Sequence, residues 1–211
     1  MKSTIESRYI THDCKRVCQG DILRDFEYDG WVSIVDDPEA SGKKKVRLSR
    51  IRFPYTVILS QDCDLDRDFS ARSLENNNSD LDKNQDKYLH SILLCPAYPA
   101  ESLKKGTHLH DMQLKMEYIP TKKWDFVVLN EVPRYHYLEN EMSLQIPFLA
   151  MDFKQYFTVP RDTIYEKPQN HYIGTLNQLF REELSQRFAY YLSRIGLPQI
   201  ESPNNNSDVL A

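Results

Sequence analysis

In Phe53-Pro54-Tyr55-Thr56-Val57-Ile58-Leu59-Ser60-Gln61-Asp62-Cys63-Asp64-Leu65, β-branched and aromatic residues give way abruptly to polar ones. Tyr55 to Leu59 suit a buried strand. The Ser-Gln-Asp-Cys-Asp that follows sets polar side chains at the strand's end, a common place for a site. Similar short runs recur on both sides, and they predict strands at Asp21–Tyr28, Trp31–Val35, Val46–Phe53, Tyr55–Gln61, His90–Tyr98, Phe126–Val132 and Phe148–Val159. Asp29-Gly30 predicts a hairpin turn between the first two. Pro99 opens a short helical turn that Gly106 ends.

One helix is expected, over Leu176–Ile195. Leu176, Leu179, Phe180, Leu184, Phe188, Tyr191, Leu192 and Ile195 form an apolar stripe. Thr175 with Gln178 makes a capping-box pattern, Glu183 and Arg187 lie one turn apart, and Gly196 and Pro198 stop the helix. Strands followed by a terminal helix, without strand–helix alternation, give an α+β, mostly β class. The expected organisation is one domain over 1–200 with a flexible tail at 201–211. A polar loop at 66–87, containing Asn76-Asn77-Asn78, is inserted into it.

The chain has 211 residues and a net charge of 27 − 31 = −4, so overall charge does not mark a polyanion binder. Charge is nonetheless uneven. Lys43 to Arg52 carries six basic residues and no acidic one, whereas Gln61 to Lys87 carries eight carboxylates against four basic residues. A solvated face and a polyanion contact both fit the basic run. No GxGxxG, GxxxxGK, HExxH, GxSxG or paired CxxC pattern is present, and no cofactor is expected. Met1 to Ser7 lacks the apolar core of a signal peptide, and no apolar run reaches membrane-spanning length. The expectation is a cytoplasmic protein, without membrane association, whose Cys14, Cys18, Cys63 and Cys95 stay reduced.

Three pieces, taken in order, resemble the MazF/PemK ribonuclease toxins. They are Gly20-Asp21-Ile22-Leu23-Arg24-Asp25-Phe26, Phe53 to Ser60, and Ile92-Leu93-Leu94-Cys95-Pro96-Ala97. The resemblance covers about half the chain. It implies a small antiparallel β-barrel with a terminal helix, here elaborated by the 66–87 loop and by strands at 124–160. It also implies RNA cleavage without metal, by an Arg before the central strand and a Ser or Thr after the next. Arg52 stands one position from the Arg place, and Ala97 and Tyr98 stand where the Ser or Thr would fall, so the resemblance speaks for fold more than chemistry. Ser60 to Leu65, with Leu184-Ser185-Gln186-Arg187-Phe188-Ala189 and Ile195-Gly196-Leu197-Pro198, also resembles a widespread bacterial protein group, a likeness that supplies no activity.

Several chemistries compete around Cys63. The candidate catalytic residues are Arg52, Asp62, Cys63 and His90; the candidate binding residues are Ser60, Gln61, Asp64 and Arg50. A Cys nucleophile needs a base or cation nearby, and Asp62 and Asp64 oppose the thiolate unless His90, His136 or Arg52 approaches. A metal site would draw on Cys63, Asp62, Asp64 and Cys95, or on a second cluster of His12, Cys14 and Cys18. Neither has the spacing of a zinc knuckle, and no metal is assigned. RNA cleavage would use Arg50 and Arg52 for the phosphate and Asp62, His90 or His108 for protons. In the plainest reading Asp62 and Asp64 satisfy turn amides and Cys63 is a small buried hydrophobe.

Three further patterns are read structurally. His108-Leu109-His110 alternates as a strand would, Asp152 and Lys154 suit a surface ion pair, and Tyr135-His136-Tyr137 suits an aromatic sheet face, with base stacking as its functional counterpart. The function expected first is a non-enzymatic binding or accessory component of a bacterial toxin–antitoxin or phage-defence-like module, with a protein partner. The alternatives are a metal-independent endoribonuclease, for which RNA is the partner, and a metal- or Cys-dependent site at Cys63.

Overall fold

The computed structural model describes residues 7–36, 43–75, 85–166 and 171–194. The tail at 201–211, the Ile195, Gly196 and Pro198 helix stop, and Asn76 to Asn78 lie outside the described residues. The fold is α+β and mostly antiparallel sheet. Its strands are β1 (Tyr9–Ile10), β2 (Asp21–Asp36), β3 (Lys44–Ile58), β4 (Ser91–Pro99), β5 (Tyr135–Leu138), β6 (Leu149–Asp152), β7 (Phe157–Pro160) and β8 (Tyr172–Leu176). They join in the order β1-β8-β2-β3-β4-β6-β5, with β7 also on β4. The α-helices are α1 (Asp62–Glu75), α2 (Ala100–Lys105), α3 (Thr121–Val128), α4 (Arg161–Tyr165) and α5 (Gln178–Leu192), and short 3-10 turns lie between elements.

Period-two alternation builds the core. Ile22 and Val57 join one buried cluster, with Leu184 and Phe188 of α5. Their neighbours Leu23 and Ile58 join the other, with Leu65 of α1 and Ile164 of α4. The two faces of the sheet are thus covered by different helices. A third cluster packs Tyr98, Leu103, Leu109, Trp124 and Val127.

Several expectations are corrected. The sheet is open: its end strands β1 and β5 do not pair with each other, so the expected barrel does not close. The β5 edge is blunted instead. Asn130 Oδ1 accepts from the Tyr137 amide (2.7 Å), its Nδ2 donates to the Tyr137 carbonyl (3.3 Å), and Arg187 donates to the carbonyls of Val132 and Tyr135. Asp29-Gly30 is a register shift within β2, not a hairpin turn. Likewise Val46–Phe53 and Tyr55–Gln61 merge into β3, with Pro54 between the Arg24–Tyr55 and Phe26–Phe53 pairs, where its missing N–H is tolerated.

The expected 66–87 loop is helical in its first part, as α1. Asp62 and Asp64 in the first turn complement the helix dipole, and Arg72 sits in the last. Phe126–Val132 is not a strand. Pro120 precedes α3, and Trp124 and Val127 are buried at the i, i+3 spacing of one helix face. Asn177 caps α5, not Thr175, which lies with Leu176 in β8. Arg187 turns to backbone carbonyls rather than to Glu183. The Pro99–Gly106 expectation is met by α2, which ends on Gly106 at φ +71°. No helix among the described residues is long and apolar enough to cross a membrane.

Candidate functional site

β3 ends at Ile58, and the polar residues after it fan out around the start of α1. Ser60 Oγ accepts from the Leu93 amide (2.8 Å), which ties this end of β3 to β4. Gln61 is exposed, and its carbonyl accepts from the Asp64 and Leu65 amides in the first turn of the helix. Asp62 is the hub. Its Oδ1 accepts from the Gln19 amide (3.1 Å) and Arg16 Nη1 (3.2 Å), and its Oδ2 lies 3.5 Å from Arg181 Nη1. Gln19 in turn donates from Nε2 to the Leu59 carbonyl (3.1 Å) and to Ser185 Oγ (2.9 Å). The Ser-Gln-Asp-Cys-Asp segment and the Leu184-Ser185-Gln186 segment therefore meet, through Gln19 and Arg181, on one open polar cleft.

The four candidate catalytic residues are not joined to one another by any hydrogen bond or ion pair. Arg52 donates to Asp25 (2.9 Å), and Arg50 bonds both oxygens of Asp29 (2.6 and 2.9 Å). Arg50 and Arg52 thus each meet a carboxylate from β2, which lowers their use as a phosphate clamp. Cys63 is exposed, not the buried hydrophobe of the plainest reading. Its thiol lies 3.7 Å from Gln61 Oε1 and 3.8 Å from Asp64 Oδ1. Two oxygen acceptors give a thiolate no stabilisation. His90 is exposed just before β4, and its carbonyl accepts from the Arg161 amide (3.0 Å).

His136 and His108, the other histidines weighed for that role, are no better placed for proton transfer. His136 is enclosed in β5, where burial pushes its pKa down to about 3. His108 packs against Tyr98, with ring centroids 4.7 Å apart, and burial lowers its pKa. His110 lies in a 3-10 turn, so the two do not share a strand face. Asp152 is fully buried and bonded to both ends of the Arg134 guanidinium (2.7 and 2.6 Å), which replaces the expected surface pair with Lys154.

The His12 cluster has a clearer logic. Nε2 of His12 meets Asp21 Oδ1 (2.9 Å), which also accepts from Thr175 Oγ1 (2.6 Å), while Asp21 Oδ2 accepts from the Cys18 amide (2.8 Å). The ligand atoms of His12, Cys18 and Asp21 lie within 4.8 Å of one another, a spacing a cation could bridge. However, the Cys14 amide donates to His12 Nδ1 (3.1 Å). That bond requires Nδ1 to be bare and places the ring proton on Nε2, toward Asp21. A metal on Nε2 would force the proton to Nδ1, against the Cys14 N–H. The donor set is satisfied as a hydrogen-bond network that pins the start of β2 to β8. Cys14 itself is held at φ +56° by this turn. Burial pushes the Cys18 thiol up to about 12, so it is inert as a nucleophile.

Sequence reasoning did not find the Asp68 hub or the Arg134–Asp152 pair. Asp68, with no exposed side-chain surface, binds Arg72 Nε (2.8 Å), Arg161 Nε (2.6 Å) and the Leu89 amide (2.9 Å). Only the Asp68/Arg72 spacing of four was visible beforehand. No family model matches the chain, and a search of curated proteins finds no match.

Proposed function

We propose that this chain is a binding component rather than an enzyme, acting through a protein partner in a bacterial toxin–antitoxin or phage-defence-like module. The setting comes from the resemblance of its first strands to the MazF/PemK toxins and is a fold-level analogy. The binding role rests on one observation, the outer face of α3. Helix α3 buries Trp124 and Val127 but leaves Phe126, Val128 and its C-cap residue Leu129 exposed by 44, 38 and 66%. Tyr137 bridges from Trp124 to Phe148, which is itself 48% exposed. Clustered apolar surface of this kind marks protein interfaces. The ion pairs that occupy Asp62, Arg50 and Arg52 support the same reading, because they leave no free acid, base or phosphate clamp among those three.

The second reading is the metal-independent endoribonuclease. Arg50 and Arg52, two apart on β3, stand exposed on one face, which favours a phosphate contact. Asp29 and Asp25 would have to yield first.

The test of the binding role is photo-crosslinking. Benzoylphenylalanine at position 126 is expected to give one discrete crosslinked species in native lysate, lost on Leu129→Asp. The same probe at Ile10, exposed on the short edge strand β1, is the control. Crosslinking from 126 no stronger than from 10, or unchanged by Leu129→Asp, would contradict the proposal.

A further inference from the structure

A separate cleft of about 370 Å³ opens where β2, β3 and β7 meet the segment 109–114. One wall carries three aromatic rings that face one another. Phe157 stacks on Phe53 (centroids 4.8 Å apart, planes at 25°) and on Tyr28 (5.9 Å, 29°). Leu109 and Met112 add aliphatic surface. Tyr98 also lines the cleft; it is 1% exposed, and its hydroxyl is buried without a hydrogen-bond partner. Lys154 lines the cleft as well, is exposed, and pairs with no carboxylate among the described residues. The volume falls in the range of small-molecule sites, which are mostly apolar with a few polar groups that fix orientation.

Each feature narrows the ligand. An aromatic wall favours a flat ring, because aromatic pairs gain beyond their buried area in edge-to-face as well as offset-stacked geometry. A buried hydroxyl without a partner selects a ring that carries a hydrogen-bonding edge, since a hydrocarbon would leave it unsatisfied. An unpaired ammonium selects an anionic group.

We infer that this cleft binds a mononucleotide, with the base against the Phe157, Phe53 and Tyr28 rings, a polar edge of the base on the Tyr98 hydroxyl and the phosphate on Lys154. This site is independent of the α3 face. The same base-and-phosphate chemistry is also presented by single-stranded RNA, so the experiment carries both. The full chain is titrated calorimetrically with AMP, GMP, CMP and UMP, with the matching nucleosides, and with RNA pentamers.

The expected result is saturable binding of at least one mononucleotide at or below about 1 mM, no weaker than any pentamer. Lys154→Ala should weaken the nucleotide about fivefold and leave its nucleoside unchanged. Phe157→Leu, which keeps the cleft apolar but removes the ring, should weaken both about tenfold. Tyr98→Phe removes only the hydroxyl and should weaken both severalfold. Melting curves of the three variants confirm that they are folded. No nucleotide binding, binding of pentamers alone, or a nucleotide affinity that Lys154→Ala and Phe157→Leu leave unchanged would overturn the inference.

Discussion

Asp68→Ala is expected to destabilise the protein by about 3–5 kcal/mol, lowering its melting temperature by roughly 10 °C. The Asp68 carboxylate is fully enclosed and is the common partner of Arg72, Arg161 and the Leu89 amide. It links α1, the residues before β4, and α4. Removing it leaves two half-buried guanidinium groups facing each other and the Leu89 amide without its acceptor, which costs more than a lost surface contact. Urea denaturation of both proteins measures the loss, and a difference below about 1 kcal/mol would show that the hub is dispensable.

The effect should also depend on pH. Burial pushes the Asp68 pKa up, but Arg72, Arg161 and the Leu89 amide outweigh it and hold the folded value below the ordinary carboxylate range. A depressed folded pKa stabilises the fold fully above the unfolded value, about pH 4, and loses that contribution as pH falls through the folded value. The gap between wild type and Asp68→Ala should therefore be constant near neutrality and narrow below about pH 4.

Gly106→Ala is the second large effect, expected at about 3 kcal/mol, and it should not vary with pH. Gly106 ends α2 at φ +71°, where a Cβ is disfavoured. A Cβ there would also stand 2.3 Å from the Met116 carbonyl oxygen and 2.9 Å from that of Glu117. Both obstacles are backbone, so relief requires the 116–119 segment to move. That segment is bonded back to α2 through the Ile119 amide and the Lys104 carbonyl (2.9 Å). Ile119, Leu103 and Trp124 of the third core cluster would shift with it. A melting temperature within about 2 °C of wild type would show that the loop adapts freely.

What the sequence disclosed follows from how each element is stabilised. The alternation at Ile22-Leu23 and Val57-Ile58 feeds two opposite cores, so those strands were legible. Helix α1 was not, because its inward face is Leu65, Asp68, Phe69 and Arg72, and a buried ion pair stands where an apolar stripe would have signalled a helix. Helix α3 was misread since Phe126-Val127-Val128-Leu129 has strand composition; only Pro120 and the Trp124/Val127 spacing speak for a helix. The end of β8 was read as the start of the terminal helix because Leu176 continues its stripe, whereas Thr175 is claimed by Asp21 of β2.

The polar segment after β3 was legible as a candidate site, whereas the late Leu184-Ser185-Gln186 segment stood out only through a resemblance that supplies no activity. Their meeting was not, for it depends on Gln19, whose side chain spans from Leu59 to Ser185, and on Arg181. Nor could sequence show that Arg52 and Arg50 face carboxylates, since that is set by the register of β2 on β3.

That pairing bears most directly on the claim that the chain binds rather than cleaves. The decisive measurement is incubation of the purified protein with a mixed RNA pool in EDTA, beside Arg52→Ala and Asp25→Asn. The account predicts intact RNA with all three, including the variant that releases Arg52 from its carboxylate. Cleavage by the wild type or by Asp25→Asn that is lost in Arg52→Ala would contradict it and establish the ribonuclease reading.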